Sequence, residues 1–353
     1  MIVAYLILLA LILLSVRFVR SEEGDAFVDS AHCLPIKGVC IASVFLGHAG
    51  GYLYTAGYDG LHGLERIFYF INDNIGQLKA VPFLFFSGYG VARCLEAKND
   101  AYLDSMPRRR ILRTLVRFDM AILCFVVLNL LLGISMTFRQ IGLSLLGWDS
   151  IGNSNWYIFI ILLCYISTWF ANRIGRARSL SAGATCGLLW VLLFLIMIAL
   201  AFCRDSYWYN TMLAYPAGVL YALRRDRVNQ VFRSHFWLSA IALAGLTAGV
   251  HVLTHFVDLP GGDAWYNLKG IAFALLVVCL MTRIELRSRP LAWMGENLFE
   301  IYIYQRLPMI AMMALFADCL QYRGVFIAVS IAVTWCIALL VHWLRSWIKG
   351  ACL

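Results

Sequence analysis

The chain has 353 residues, 62% of them hydrophobic and only 14% charged, with a formal net charge of +9. A soluble globular protein carries about 25% charged residues, so a water-soluble fold of this size is excluded for want of polar surface. The basic balance would suit nucleic acid in a soluble protein; here membrane topology accounts for it, and no nucleic-acid partner is expected.

Apolar runs fall at residues 2–17, 36–55, 78–93, 111–133, 153–171, 180–202, 208–222, 234–255, 266–283, 290–313 and 323–343. They predict an all-α fold, a polytopic transmembrane helical bundle of about eleven spans. The first run has no Lys or Arg before it and no convincing cleavage site after it, and is expected to be a retained helix rather than a signal peptide. Pro82 and Pro216 interrupt the third and seventh runs, as irregular helices inside a bundle. With the N-terminus outside and the spans alternating, every Lys and Arg falls on the cytoplasmic side except Arg66, Lys79, Arg139, Arg204, Lys269, Arg306 and Arg323. That asymmetry follows the positive-inside rule and puts the C-terminus in the cytoplasm. No linker or repeat divides the chain. Its eleven cysteines lie mostly in apolar runs, without C-x-x-C or zinc spacing, and read as buried hydrophobes. No metal is predicted.

Three features carry possible chemistry. In KGVCIASVFLGHAGGYLY, Lys37 opens a helix and His48 follows eleven positions later, about 16 Å deeper. An imidazole at that depth is either a general base, neutral because desolvated, or a buried histidine bonded to a carbonyl or a neighbouring helix. In PFLFFSGYGVAR, Ser87 and Gly88 break an aromatic run. They face an acyl donor or the base, or they mark a kink with ordinary aromatic packing. In MPRRRILRTLVR, Arg108, Arg109, Arg110 and Arg113 cluster at a helix entrance. They would hold phosphates of a donor such as a coenzyme A thioester, or anchor topology against anionic headgroups. Further along, Asn153, Asn155 and Trp156 open the fifth run on its outer side. His251 and His255 with Asp258 and Asp263 form a weak candidate for a metal. Glu296, Asn297, Glu300, Gln305 and Arg306 in the tenth run argue for a water-lined cavity.

Taken together, these residues resemble the acyltransferase 3 family of integral membrane acyltransferases. Its basic-residue-to-histidine helix is similar to LPIKGVCIASVFLGH, with lysine where arginine is common. Its next motif is similar to FLFFSGYG at Phe83 to Gly90, and its basic stretch to PRRRILR at Pro107 to Arg113. A late motif aligns with GENLFEIYIYQ but departs from it: Leu298 and Phe299 stand for Ser-Tyr, and Gln305 for a histidine. The resemblance covers roughly residues 30–343. It implies a ten-helix core in residues 31–353, the membrane acyltransferase domain, with residues 1–30 as an extra N-terminal transmembrane helix and its connecting loop.

The resemblance further implies a membrane O-acyltransferase, moving an acyl group, acetyl by expectation, from acetyl-CoA to a hydroxyl of a cell-surface sugar, polysaccharide or lipid-linked precursor. His48 is then the general base and Ser87 the oxyanion donor. Lys37, Arg108, Arg109, Arg110 and Arg113 hold the acyl-CoA donor. The expected setting is a bacterial cytoplasmic (inner) membrane, with the lipid bilayer, the donor and a carbohydrate acceptor as partners. Interrupted helices with buried charges also suit a secondary transporter of a sugar, lipid or organic anion, although no internal match between halves is seen. A glycosyltransferase using lipid-phosphate sugars would want a carboxylate near a large outer loop, and the outer loops are short.

Overall fold

A computed structural model describes residues 1–19, 30–57, 63–257, 261–316 and 321–351. Asp258 lies outside the described residues. The helices are α1 (Ile2–Ser15), α2 (Ser30–Thr55), α3 (Glu65–Ile75), α4 (Val81–Met106), α5 (Arg113–Leu131), α6 (Phe138–Leu145), α7 (Trp156–Ala177), α8 (Ala182–Ala201), α9 (Ala214–Ser234), α10 (Phe236–Phe256), α11 (Gly262–Met281), α12 (Arg289–Glu296), α13 (Leu298–Tyr304), α14 (Arg306–Leu315) and α15 (Arg323–Ala351). A 3₁₀ turn, Gly76–Lys79, leads into α4, and a π turn, Pro107–Leu112, joins α4 to α5. Pro107 has no N–H to donate, which is where the helical ladder widens.

Among the described residues, seven helical runs are long and apolar enough to cross a membrane: 31–55, 65–131, 156–177, 182–201, 236–256, 262–281 and 323–344. The all-α membrane class therefore holds, while the helices depart from the eleven expected runs in four places. The 14 residues of α1 reach only about 21 Å against a ~30 Å hydrocarbon core. The third and fourth expected runs lie inside the single stretch 65–131, where Asn99 kinks α4 with φ 42°, a conformation asparagine tolerates better than most residues. The seventh run opens α9, whose later half is charged by Arg224, Arg225, Arg227 and Arg233. The tenth run is broken into α12, α13 and α14 at Asn297 and Gln305.

One pairing was invisible in the hydropathy. Residues 16–18 form strand β1, which pairs antiparallel with β2 (Ile284–Leu286), bringing Arg17 opposite Glu285. Helix α1 also docks on α3: the Met1 amino group sits 2.8 Å from Glu65, and Tyr5 meets Phe68 edge-on at 5.4 Å.

Two helix pairs meet backbone to backbone. In α2 and α12, a Cβ on Gly38 would lie 2.0 Å from the Leu291 carbonyl oxygen, and one on Gly295 would lie 2.0 Å from that of Leu34. In α4 and α9, a Cβ on Gly88 would lie 2.1 Å from the Tyr215 oxygen, and one on Gly218 would lie 2.0 Å from that of Phe85. Lipid offers little hydrophobic drive for helices to associate, so close approach through small residues supplies the packing energy. Gly88, read from sequence as a kink or a donor contact, is a helix crossing.

Gly88→Ala is therefore expected to cost at least about 3 kcal/mol, because backbone cannot step aside as a side chain can. Gly90→Ala faces open space and is expected to be neutral or stabilising by up to about 1 kcal/mol. Thermal unfolding of the detergent-solubilised variants distinguishes the two.

Candidate functional site

Helix α2 is the spine of the site. It begins at Ser30, so Lys37 lies inside its first half and does not open it as expected, and it carries His48 in its second half, where Gly47, Gly50 and Gly51 lower its bulk. His48 lines a cleft of about 390 Å³ with Val44 and Gly47 of its own helix, Asn72 and Asp73 of α3, Gly76, Gln77 and Lys79 of the 3₁₀ turn, Ala80, Trp156 and Tyr302. The imidazole is partly accessible, while its Nδ1 is buried with no hydrogen-bond partner among the described residues. The two cations that act on it are Arg306 and Lys79.

These two cations differ in how they are held. Arg306 donates from Nε to the Tyr52 hydroxyl at 2.9 Å and from a terminal nitrogen to the Asn153 carbonyl at 3.1 Å. It braces α14 to α2 and to the entry of α7, and it does not line the cleft. Lys79 does line it, though only 8% exposed. Its Nζ donates to Asn72 Oδ1 at 2.5 Å, and the Asp73 carboxylate acts on it from the same helix. A Cβ on Gly47 would lie 2.8 Å from that Asn72 oxygen and 2.9 Å from Nζ. The bare α-carbon of Gly47 is what lets the pair lie against α2.

Lys37 stands at the other end of α2, in a different electrostatic setting. Its ammonium lies 5.9 Å from the centre of the Phe86 ring, and Arg110 acts on it. Arg110 donates from Nε to the Tyr102 hydroxyl at 2.9 Å and lies 6.0 Å from the centre of the Tyr165 ring. Among the described residues neither cation has a salt bridge. Two neighbouring part-buried cations without a carboxylate form a place for an anion. Arg108, Arg109 and Arg113 are exposed. The four arginines expected to act together are thus split, with Arg110 turned into the bundle and the others turned outward.

Ser87 does not line the His48 cleft. It lies on α4 beside Tyr157 and Tyr165 of α7, near enough to act on both phenols. Tyr157 in turn packs edge-on against Tyr302, ring centres 5.4 Å apart, and Tyr302 reaches the cleft. A line of hydroxyl-bearing side chains therefore runs from Arg110 through Tyr165, Ser87 and Tyr157 to the His48 cleft.

Several other sequence candidates act as braces. Glu300 is buried and pairs with Arg117, whose guanidinium also stacks on Phe299, so this acid ties α13 to α5. Gln305, standing where the related motif has histidine, is buried and donates to the Tyr302 carbonyl at 3.1 Å. Glu296 is exposed. Asn155 donates to the carbonyls of Gly147 and Asp149, which closes the loop ahead of Trp156. His251 bonds Asn74 Oδ1 at 2.8 Å and lies 3.4 Å from Lys269 Nζ. No group of three His, Cys, Asp or Glu that could hold a metal ion occurs among the described residues. Sequence reasoning missed Lys79, Asn72, Asp73 and Tyr302. Asn72 and Asp73 lie in a segment read only as an outer loop, and Lys79 stands at the outer mouth of the third apolar run.

The profile of one family, described as an acyltransferase domain, matches residues 36–342, nearly the whole chain. No curated protein and no solved structure matches.

The cation pair gives a direct test. Lys37→Met relieves like-charge repulsion and is expected to leave thermal stability unchanged or raise it by up to about 1 kcal/mol in the ligand-free protein. Arg306→Met, which strands the Tyr52 hydroxyl and the Asn153 carbonyl, is expected to cost about 2–4 kcal/mol. Melting curves of the two variants against the parent check the contrast.

Proposed function

Because the chain belongs to the acyltransferase 3 family and is a membrane acyltransferase, we propose that it moves an acyl group, acetyl in the simplest case, from acyl-coenzyme A to a hydroxyl of a cell-surface sugar or its lipid-linked precursor. The observation that carries this reading is the placement of His48 in an open cleft at one end of α2, with an acid-free cation pair at the other.

Phosphates of the donor suit Lys37 and Arg110. Charge-assisted contacts to an anion would relieve two cations that otherwise face each other. From there to His48 is eleven residues of helix, about 16 Å. An extended phosphopantetheine arm is of comparable reach, and the Tyr165–Ser87–Tyr157 line offers it polar contacts. The acceptor side suits a sugar: Trp156 offers a flat apolar face, and Asn72, Asp73 and Gln77 offer donors and acceptors for hydroxyls.

In the reaction, the acceptor oxygen attacks the thioester carbonyl while His48 takes its proton. The new C–O bond forms and the carbonyl electron pair moves to oxygen. Collapse breaks the C–S bond, sulfur leaves with its pair, and His48 returns the proton to the thiolate. The reacting atoms must approach to about 3–3.5 Å. The basic-residue asymmetry supports a bacterial cytoplasmic membrane setting with the N-terminus and the cleft outside and the cation pair inside. Donor and acceptor then approach from opposite faces.

Transfer of label from [¹⁴C]acetyl-CoA in membranes containing the protein tests this. His48→Ala is expected to lower transfer at least about 10²-fold while membrane insertion stays normal. Arg110→Gln is expected to raise the donor KM by about tenfold, and Arg109→Gln to change it little. Undiminished transfer by His48→Ala would overturn the reading.

A further inference from the structure

The attack on a thioester places negative charge on the former carbonyl oxygen, and a site that accelerates it holds a positive or hydrogen-bonding group at that point. Ser87, the residue the sequence offered, sits beside Tyr157 and Tyr165 and does not line the cleft. Arg306 acts on His48 electrostatically, but it does not line the cleft and its guanidinium is engaged by Tyr52 and the Asn153 carbonyl. Among the described residues that line the cleft, one cation remains.

We propose that Lys79 is a catalytic residue of this acyltransferase, its ammonium stabilising the oxyanion of the tetrahedral intermediate opposite His48, with Asn72 as its positioning residue. The inference rests on the His48-centred reading above and adds to it the electrophilic half of the site.

Four observations converge on it. Lys79 is almost fully buried yet lines the cleft, so its charge is little screened by bulk water, where an electrostatic contact is strongest. An ammonium has three donors, and Asn72 takes one, leaving two for a ligand. The contact to Asn72 Oδ1 holds Nζ in place before substrate arrives, which is the preorganisation such catalysis needs. Finally, Nζ lies against the α-carbon of Gly47, the residue next to His48. Base and cation therefore flank the same small volume.

The atoms balance without further reactants. As the acceptor O–H attacks, its proton passes to His48 and the carbonyl π pair becomes the oxyanion held by Lys79. When that pair re-forms the carbonyl, the C–S bond breaks, and the proton on His48 leaves with the thiolate. Lys79 keeps its protons throughout.

The experiment measures coenzyme A release and label transfer from [¹⁴C]acetyl-CoA by the full chain in membrane vesicles, for the parent and for His48→Ala, Lys79→Met, Lys79→Arg, Lys79→Ala and Gly47→Ala. Lys79→Met is expected to lose about 10²–10³-fold in kcat with the acetyl-CoA KM within about threefold of the parent, since the lost contact is made in the transition state alone. Lys79→Arg should recover part of the loss. Millimolar ethylammonium should partly restore Lys79→Ala. Gly47→Ala, which displaces only the ends of two side chains, should fold normally and lose about tenfold or more in kcat. A merely structural lysine would show none of the amine rescue and would lower melting temperature instead. Lys79→Met with parental kcat, or a kcat loss that no cation restores, overturns the inference while leaving the His48 reading standing. Release that is absent in the parent, or intact in His48→Ala, overturns both.

Discussion

Close contact between helix backbones is the constraint on which this molecule depends. Four glycines, Gly38 and Gly295 on one crossing and Gly88 and Gly218 on the other, bring carbonyls of the facing helices to where a Cβ would stand. Inside a bilayer the hydrophobic effect does not separate a helix–helix contact from a helix–lipid contact. Packing that tight supplies the difference. It also removes freedom: α2 cannot slide along α12, and α4 cannot slide along α9. The helix that bears His48 and the helix that bears Ser87 are thereby fixed to the partners that complete the interior. The broken run of α12, α13 and α14 can then tolerate its interruptions at Asn297 and Gln305, because its first segment is locked to α2 and its later ones are braced by Glu300 with Arg117 and by Arg306 with Tyr52.

On this frame the two ends of α2 acquire opposite characters. At the Lys37 end, Arg110 acts on Lys37 and holds a tyrosine hydroxyl, and among the described residues neither cation has a salt bridge, an arrangement that favours a bound anion. At the His48 end, Lys79 is held by Asn72 and balanced by Asp73, so the cleft is polar without a large excess of charge. A further set of pairs, Arg173 with Asp104, Arg176 with Asp100 and Arg225 with Glu96, gathers on the kinked part of α4. These pairs neutralise three arginines around α4 and do not include Lys37 or Arg110. Under the proposed reaction, this separation would let a phosphate-bearing donor and a sugar acceptor approach from opposite sides.

Much of this was legible before any coordinates. Long apolar runs announce a helical membrane protein, and the Lys37-to-His48 spacing survives as one helix because both residues lie on it. The Lys37-to-His48 segment in combination with the motif at Phe83–Gly90 pointed to the family. What stayed hidden has a common cause, long-range geometry. Arg108 to Arg113 read as one cluster, yet on a helix Arg109 and Arg113 share a face while Arg110 points about 100° away from Arg109. Only the neighbours Lys37 and Tyr165, from other helices, show which face turns inward. Ser87 looked like a cleft residue, yet the fold sets it beside Tyr157 and Tyr165, some seventy positions later, and outside the cleft. Lys79 looked like an outer-side cation at the mouth of the third apolar run, and nothing local predicts that Asn72 and Gly47 bury it. The pairing of 16–18 with 284–286 joins segments too short and too distant for any periodicity to reveal.

The most direct measurement is a structure of the full chain with a non-transferable acetyl-CoA analogue in which the thioester is replaced by a thioether ketone. The account predicts the analogue's phosphates against Lys37 and Arg110, its arm along Tyr165, Ser87 and Tyr157, and its carbonyl in the cleft between His48 and Lys79. Phosphates seated in the His48 cleft, or an acyl carbon that never enters it, would contradict the account.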